Sequence, residues 1–412
     1  MEFRQHTLAN GLEIVAECIP HAYSMALGFF VKTGARDESD ALAGVSHFLE
    51  HMVFKGTPTR SAADVNRELD EMGSHSNAYT SEEQTVYYAA MLPEFQDQAT
   101  ELLCDILRPS LREDDFNTEK QVIIEEIAKY DDQPPYGAHE KCMAAHFGSH
   151  SLARSVLGTA QSVGALTAEQ MRGYFERRYS PSNIALVTAG KVDFDRLVAA
   201  AEKHCGRWER FDAPREMPRA APHSGFHVIR KELATQEYAV QIANGPAASD
   251  ADRYAGRLLT TIIGDETGSR LFWKLVDTGL AELAALGSYE YQGTGVYMGF
   301  LCCAPDEAAP NLQIMRDVFR EVERRGVTED ELLRAKSKLC SHVVLQSERP
   351  SNRLFSVGNG WLQRREYRTV REAVQSYQAV TTRDIAAVLE KFPLTASTTV
   401  AIGPLENLTP PS

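Results

Sequence analysis

Residues 39–57 read SDALAGVSHFLEHMVFKGT, and residues 251–269 read ADRYAGRLLTTIIGDETGS. In the first stretch Leu42, Val45, Leu49, Met52 and Val53 recur at helical spacing. This predicts a helix from about Asp40 to Phe54, capped by Ser39 or Asp40 and stopped before Gly56. The second stretch predicts a helix from about Asp250 to Ile263. Placing Ala43-Gly44 over Ala255-Gly256 sets Leu259, Ile262 and Ile263 opposite His47, Glu50 and His51. The later helix is apolar where the earlier one is polar, so the architecture alone does not call for those three polar residues.

The correspondence extends outward from these helices. GLEIVAE and MALGFFVKTGA precede the first as strand-like runs; FHVIRKE and YAVQIANGP precede the second. GSHSNAYTSEEQTVYYAAML parallels GSYEYQGTGVYMGFLC, and the halves end on SNIALVTAGKV and TTVAIGP. Long amphipathic segments fill the remainder, including DFNTEKQVIIEEIAKY and TEDELLRAKSKLCSHVVLQ. Residues 207–224, RWERFDAPREMPRAAPHS, hold three prolines near the midpoint and read as a linker. The expectation is a duplicated α+β unit. Residues 1–212 and 225–412 form two homologous domains, each a mixed, mostly antiparallel sheet packed with helices.

Composition narrows the function classes. The chain has 412 residues with a net charge of −14, which argues against a nucleic-acid partner. No apolar run approaches the roughly 18 residues of a membrane span, so no membrane association is expected. The N-terminus lacks the basic-then-apolar layout of a secretory signal. The seven cysteines are scattered without a CxxC pair and read as reduced thiols. A cytoplasmic protein is expected.

The chemistry lies in HFLEH, residues 47–51. His47 and His51 are four apart, so their rings stack on one side of a helix and can share one metal ion. Glu50 sits at the edge of that face, close to a reacting water without having to be a ligand. In the later helix Glu119 and Glu126 are seven apart and share a face, whereas Glu125 is rotated about 100° from Glu126. Paired histidines can equally be surface residues, and paired glutamates a solvated face. A second cluster, His139, Cys142, His146 and His150, has ligand types but no acidic or general-base partner following it, and reads as structural.

Together GVSHFLEHMVFKGT, GSHSNAYTSEEQTVYYAAM and EKQVIIEEIAKYDDQP resemble the insulinase/pitrilysin family, with its inverted H-x-x-E-H motif. The likeness is closest to the short branch that holds the mitochondrial processing peptidases and their bacterial relatives. The resemblance implies a zinc endopeptidase with His47, His51 and Glu126 as ligands, Glu50 as general base and Glu119 in support. It implies two domains facing each other as a clam, a peptide substrate cleaved within a chamber, and a homodimer or a heterodimer with a related chain. Asn77 and Ala78 match positions that contact extended substrate on an edge strand. A dedicated precursor-processing peptidase and a non-catalytic structural subunit are the alternatives.

The pattern departs from the family in SRLFWKLVDTGLAEL. Val276 and Glu282 stand where an arginine and a tyrosine are usual; Tyr289, Tyr291 or Arg270 are the candidates to compensate. A negative Glu282 would favour basic substrates.

Overall fold

The computed structural model describes residues 1–132, 134–218 and 220–412. In chain order the first part holds β1 (Glu2–Thr7), β2 (Glu13–Cys18), β3 (Met25–Val31), α1 (Val45–Val53), α2 (Ala62–Glu71), β4 (His75–Thr80) and β5 (Thr85–Met91). Then come α3 (Gln96–Ile106), α4 (Glu113–Asp132), α5 (Pro134–Phe147), α6 (Ala160–Ala165), α7 (Ala168–Arg178), β6 (Ile184–Gly190) and α8 (Phe194–Cys205). The second part holds β7 (Gly225–Arg230), β8 (Glu237–Gly245), α9 (Arg253–Gly264), β9 (Leu283–Tyr291) and β10 (Thr294–Cys303). It continues with α10 (Ala308–Arg325), α11 (Glu329–Ser347), α12 (Pro350–Arg364), α13 (Val370–Ala379), α14 (Thr382–Lys391) and β11 (Ser397–Gly403).

The strands form two mixed sheets of matching order. The first runs β1-β2-β6-β3-β5-β4 and the second β7-β11-β8-β10-β9. In each, one parallel pair (β2 with β6, β7 with β11) interrupts otherwise antiparallel ladders. The hairpin β4–β5 pairs Ala78 with Tyr87 and Thr80 with Thr85, and leaves β4 at the sheet edge. The expected α+β duplication is what the chain adopts. In α9, Leu259, Ile262 and Ile263 are buried in the second core, so the helix position that is polar in the first half is apolar in the second.

The boundaries differ from two contiguous halves, 1–212 and 225–412. One compact unit contains Met1–Ala128, Arg154–Glu216 and Gln346–Arg368; the other contains Lys129–Ala153, Met217–Leu345 and Thr369–Ser412. The reason is that both sheets are apolar on both faces. In the first unit Ile14, Leu27, Phe29 and Leu186 face the main core. Their strand neighbours Val15, Phe30 and Val187, with Val86 of β5, face the other way and pack against Leu354, Val357 and Leu362 of α12. In the second unit Val240, Ile242, Met298 and Val400 are covered by Ala138, Cys142, Met143 and Phe147 of α5. Each sheet thus borrows its second covering layer from the sequence of the other half.

The linker is strapped to the first unit at its start. The Arg215 side chain is buried and bonds Asp37, which also accepts from Arg178, and Ser180 accepts from the Phe211 amide. Among the described residues no helix is long and apolar enough to cross a membrane.

Candidate metal centre

The helix that carries the histidines begins later than expected. A 3-10 turn occupies Asp40–Leu42, and α1 starts after Gly44, whose φ of 90° suits glycine. A β-carbon on Gly44 would lie 2.6 Å from the Leu157 carbonyl oxygen and 3.1 Å from Gly158 Cα. The helix start is capped by neither Ser39 nor Asp40. The buried Glu38 carboxyl accepts from the Gly44 and Ser46 amides, each at 2.7 Å. These two bonds meet orphan amides of the helix start; burial nevertheless pushes the Glu38 carboxyl up to about 8, against the pull of the same amides.

On α1, His47 and His51 stack edge to face with ring centroids 4.7 Å apart. Ile123 and Ile127 bury one face of α4, which turns Glu126 toward α1 and leaves Glu125 exposed. Glu126 Oε2 lies 3.9 Å from His47 Nε2 and 3.7 Å from His51 Nε2. Among the described residues these three form the group able to hold a metal ion, one ligand atom from each lying within 4.8 Å of the others. Ligand atoms around a tetrahedral zinc with bonds of about 2.0–2.1 Å stand roughly 3.4 Å apart, so the set closes on an ion with a modest contraction. The donors are also in the right form. Burial pushes the His47 imidazole down to about 3, with the adjacent His51 acting in the same direction, so His47 is neutral as a ligand must be. His47 Nδ1 is buried without a hydrogen-bond partner among the described residues, whereas the His51 ring is held by a second residue.

That residue is Glu119. Its Oε1 lies 2.9 Å from His51 Nδ1, leaving His51 Nε2 to face Glu126. Its Oε2 lies 2.5 Å from Lys55 Nζ. Burial pushes the Glu119 carboxyl up, but the hydrogen bonds from Lys55 and His51 outweigh it and hold it below the usual value. Glu119 therefore meets His51 as a carboxylate. This is the arrangement that fixes a ligand histidine's tautomer and raises its basicity.

Glu50 projects from the same helix without joining the ligand group. Thr80, the last residue of β4, donates to Glu50 Oε2 at 2.6 Å. Burial raises the Glu50 carboxyl above its ordinary value, opposed by the Thr80 hydrogen bond and His51. Asn77 is exposed on β4, and its Oδ1 accepts from the Ala78 amide at 2.9 Å; Ala78 is half-buried against the main core. Sequence reasoning missed Glu38, Lys55 and Thr80. Lys55 is one helical turn beyond His51, a spacing that could have drawn attention to it. Nothing local marks the other two.

The second histidine cluster is structural. His146 bonds Thr398 and Asn244, and Cys142 donates to the Val240 and Thr398 carbonyls. His150 bonds the Pro218 carbonyl and the Leu152 amide. The His146 and Cys142 contacts tie α5 to its sheet, and those of His150 hold the turn after it. At the departures from the family pattern, Val276 is half-buried against the second core. Glu282 accepts from Gln236 at 2.7 Å. Of the candidates to compensate, Arg270 is committed to Glu331 through two hydrogen bonds and Tyr291 is buried, which leaves Tyr289 exposed.

Comparison with known proteins shows the family and the fold. Residues 13–160 match the model for the insulinase family (peptidase family M16), and residues 165–339 match the model for the peptidase M16 inactive domain. A protein of Mycobacterium tuberculosis named an uncharacterized zinc protease is 34% identical over 391 residues, covering 93% of this chain and 89% of its own. One of Bacillus subtilis with the same description is 30% identical over 383 residues, covering 92% of each. Among solved structures, a protease from Helicobacter pylori superposes with a TM-score of 0.92 at 22% identity, covering 98% of this chain and all of its own. A Pseudomonas fluorescens structure described as a peptidase M16 inactive domain also gives 0.92, at 18% identity and full coverage of both chains. At these identities the two structures speak for the fold.

Proposed function

The chain belongs to the insulinase family of peptidases (peptidase family M16), and from that premise we propose that it is a zinc-dependent endopeptidase of short or unfolded peptides. The observation that carries this reading is the convergence of His47 Nε2, His51 Nε2 and Glu126 Oε2, with Glu50 beside them and outside the ligand group. In the proposal His47, His51 and Glu126 hold the ion. Zinc bound there supplies a Lewis acid that acidifies water and polarises a peptide carbonyl. Glu50 takes the proton of the attacking water and hands it to the departing amine. Its burial favours the protonated form it must hold between those two steps.

Extended substrate pairs with the edge of β4 at Asn77 and Ala78. Backbone pairing is largely indifferent to side chains and suits a broad range of peptides. We place the enzyme in the cytoplasm, working as a homodimer or as a pair with a related chain. A homodimer would have a mass of about 91 kDa, twice the 45.7 kDa of one chain.

The test combines metal analysis with peptide cleavage. His47→Ala, His51→Ala and Glu126→Gln each lower bound zinc and abolish cleavage. Glu50→Gln keeps zinc and loses cleavage. Zinc lost from Glu50→Gln, or full activity in that variant, refutes the roles assigned here. A strictly monomeric wild type with full activity refutes the assembly.

A further inference from the structure

The structure points to Thr80 as the positioning residue for the base, an inference that rests on the peptidase reading above. Side chains alternate along β4, so Ala78 and Thr80 share one face and Tyr79 takes the other. Ala78 packs into the main core with α1, while Tyr79 packs on the opposite face of the sheet with Phe355. The Thr80 hydroxyl consequently faces the metal-bearing helix and reaches Glu50 Oε2 at 2.6 Å.

The ionised Glu50 carboxylate can only accept, so the hydroxyl is the donor. Thr85, paired with Thr80 across the hairpin, donates its own hydroxyl to the Thr33 carbonyl at 3.0 Å and lies 3.5 Å from the Thr80 oxygen. The single Thr80 proton goes to Glu50, the nearer acceptor by far. Two consequences follow for the base. The half-buried carboxylate is held in one rotamer. One oxygen is engaged, so Oε1 is the atom left to accept the proton from water.

The hairpin that carries Thr80 is itself clamped. The Ala35 and Arg36 amides donate to the Ser81 and Glu82 carbonyls, and Arg215 donates to the Glu83 carbonyl. Thr80 thus links the strand proposed to pair with substrate to the residue proposed to take the proton.

The experiment compares wild type with Thr80→Val, which keeps the β-branched shape and removes the donor, and Thr80→Ser, which restores the hydroxyl. Each is measured for zinc content, kcat and KM on a peptide, and by crystallography with and without zinc. Thr80→Val is expected to keep its zinc and a KM within about threefold while kcat falls roughly 10- to 100-fold. Thr80→Ser recovers most of kcat. In the crystals, Glu50 adopts one conformer in wild type and Thr80→Ser, and shifts or splits in Thr80→Val. An unchanged kcat in Thr80→Val, a loss that falls mainly on KM, or no recovery in Thr80→Ser overturns the proposal. If wild type cleaves no peptide, the peptidase reading fails by itself, and the Glu50 conformer in the crystals still decides the role of Thr80.

Discussion

At the residue scale, the two histidines proposed as ligands are supported unequally. His51 is backed by Glu119, which is in turn neutralised by Lys55; among the described residues His47 Nδ1 lies buried without a hydrogen bond. Glu119→Gln keeps the shape but presents an amide to a ring that needs a strong acceptor. It is expected to weaken zinc binding or activity by about 10- to 100-fold. Lys55→Met leaves the carboxylate in place without its cation, so its pKa rises and it is a poorer partner to His51. A smaller loss in the same direction is expected. Zinc affinity measured by competition with a chelator ranks the variants. Equal affinity in wild type and Glu119→Gln would remove Glu119 from the centre.

At the element scale, α1 depends on a close backbone approach at its first turn. Gly44, at φ 90°, lies against Gly158, at φ 73°, with the Glu38 carboxyl closing the helix start. Gly44→Ala brings a β-carbon to 2.6 Å from the Leu157 oxygen and also forces an unfavourable φ, so α1 must shift. A stability loss of about 1–3 kcal/mol is expected, with weaker zinc binding because both histidines ride on that helix. Gly164→Ala in α6 is the control: nothing lies within 4 Å of its added methyl, and its φ is not positive. That variant should unfold at the wild-type temperature or slightly above it. Thermal unfolding of both variants with and without zinc checks the pair.

At the scale of the whole molecule, each unit is completed by sequence from the other half. Arg353 of α12 donates two hydrogen bonds to the fully buried Glu17 of β2, which also accepts from Tyr367. Gly358 lets α12 close on the sheet, since a β-carbon there would lie 2.3 Å from Phe30 Cζ. A fragment ending at residue 216 loses α12, exposes Val15, Phe30 and Val187, and strands Glu17. Removing one partner of a buried ion pair alone costs about 3–5 kcal/mol. Residues 1–216 expressed alone are therefore expected to be insoluble or unfolded, although they include every residue of the metal centre. Adding Gln346–Arg368 through a linker should recover folding, read by circular dichroism and zinc binding. A well-folded 1–216 would contradict this account of the cores.

The sequence by itself determined the repeated α+β plan, the helix that presents His47 and His51 together, and the face shared by Glu119 and Glu126. Each is local or periodic: helical spacing, strand alternation and turn residues leave a trace within a dozen positions. The runs MALGFFV and IALVTAG read only as strands; that both faces of their sheet are buried emerged from the packing. The tertiary structure alone decided that α5 and α12 supply those covering layers, that Glu38 starts α1, and that Thr80 holds Glu50. It also turned Glu126 toward both histidines and Glu119 toward only one. Those contacts join residues 6 to more than 300 positions apart and follow from how whole faces pack. No window of the sequence contains both partners in a repeating pattern, so only the folded chain reveals them.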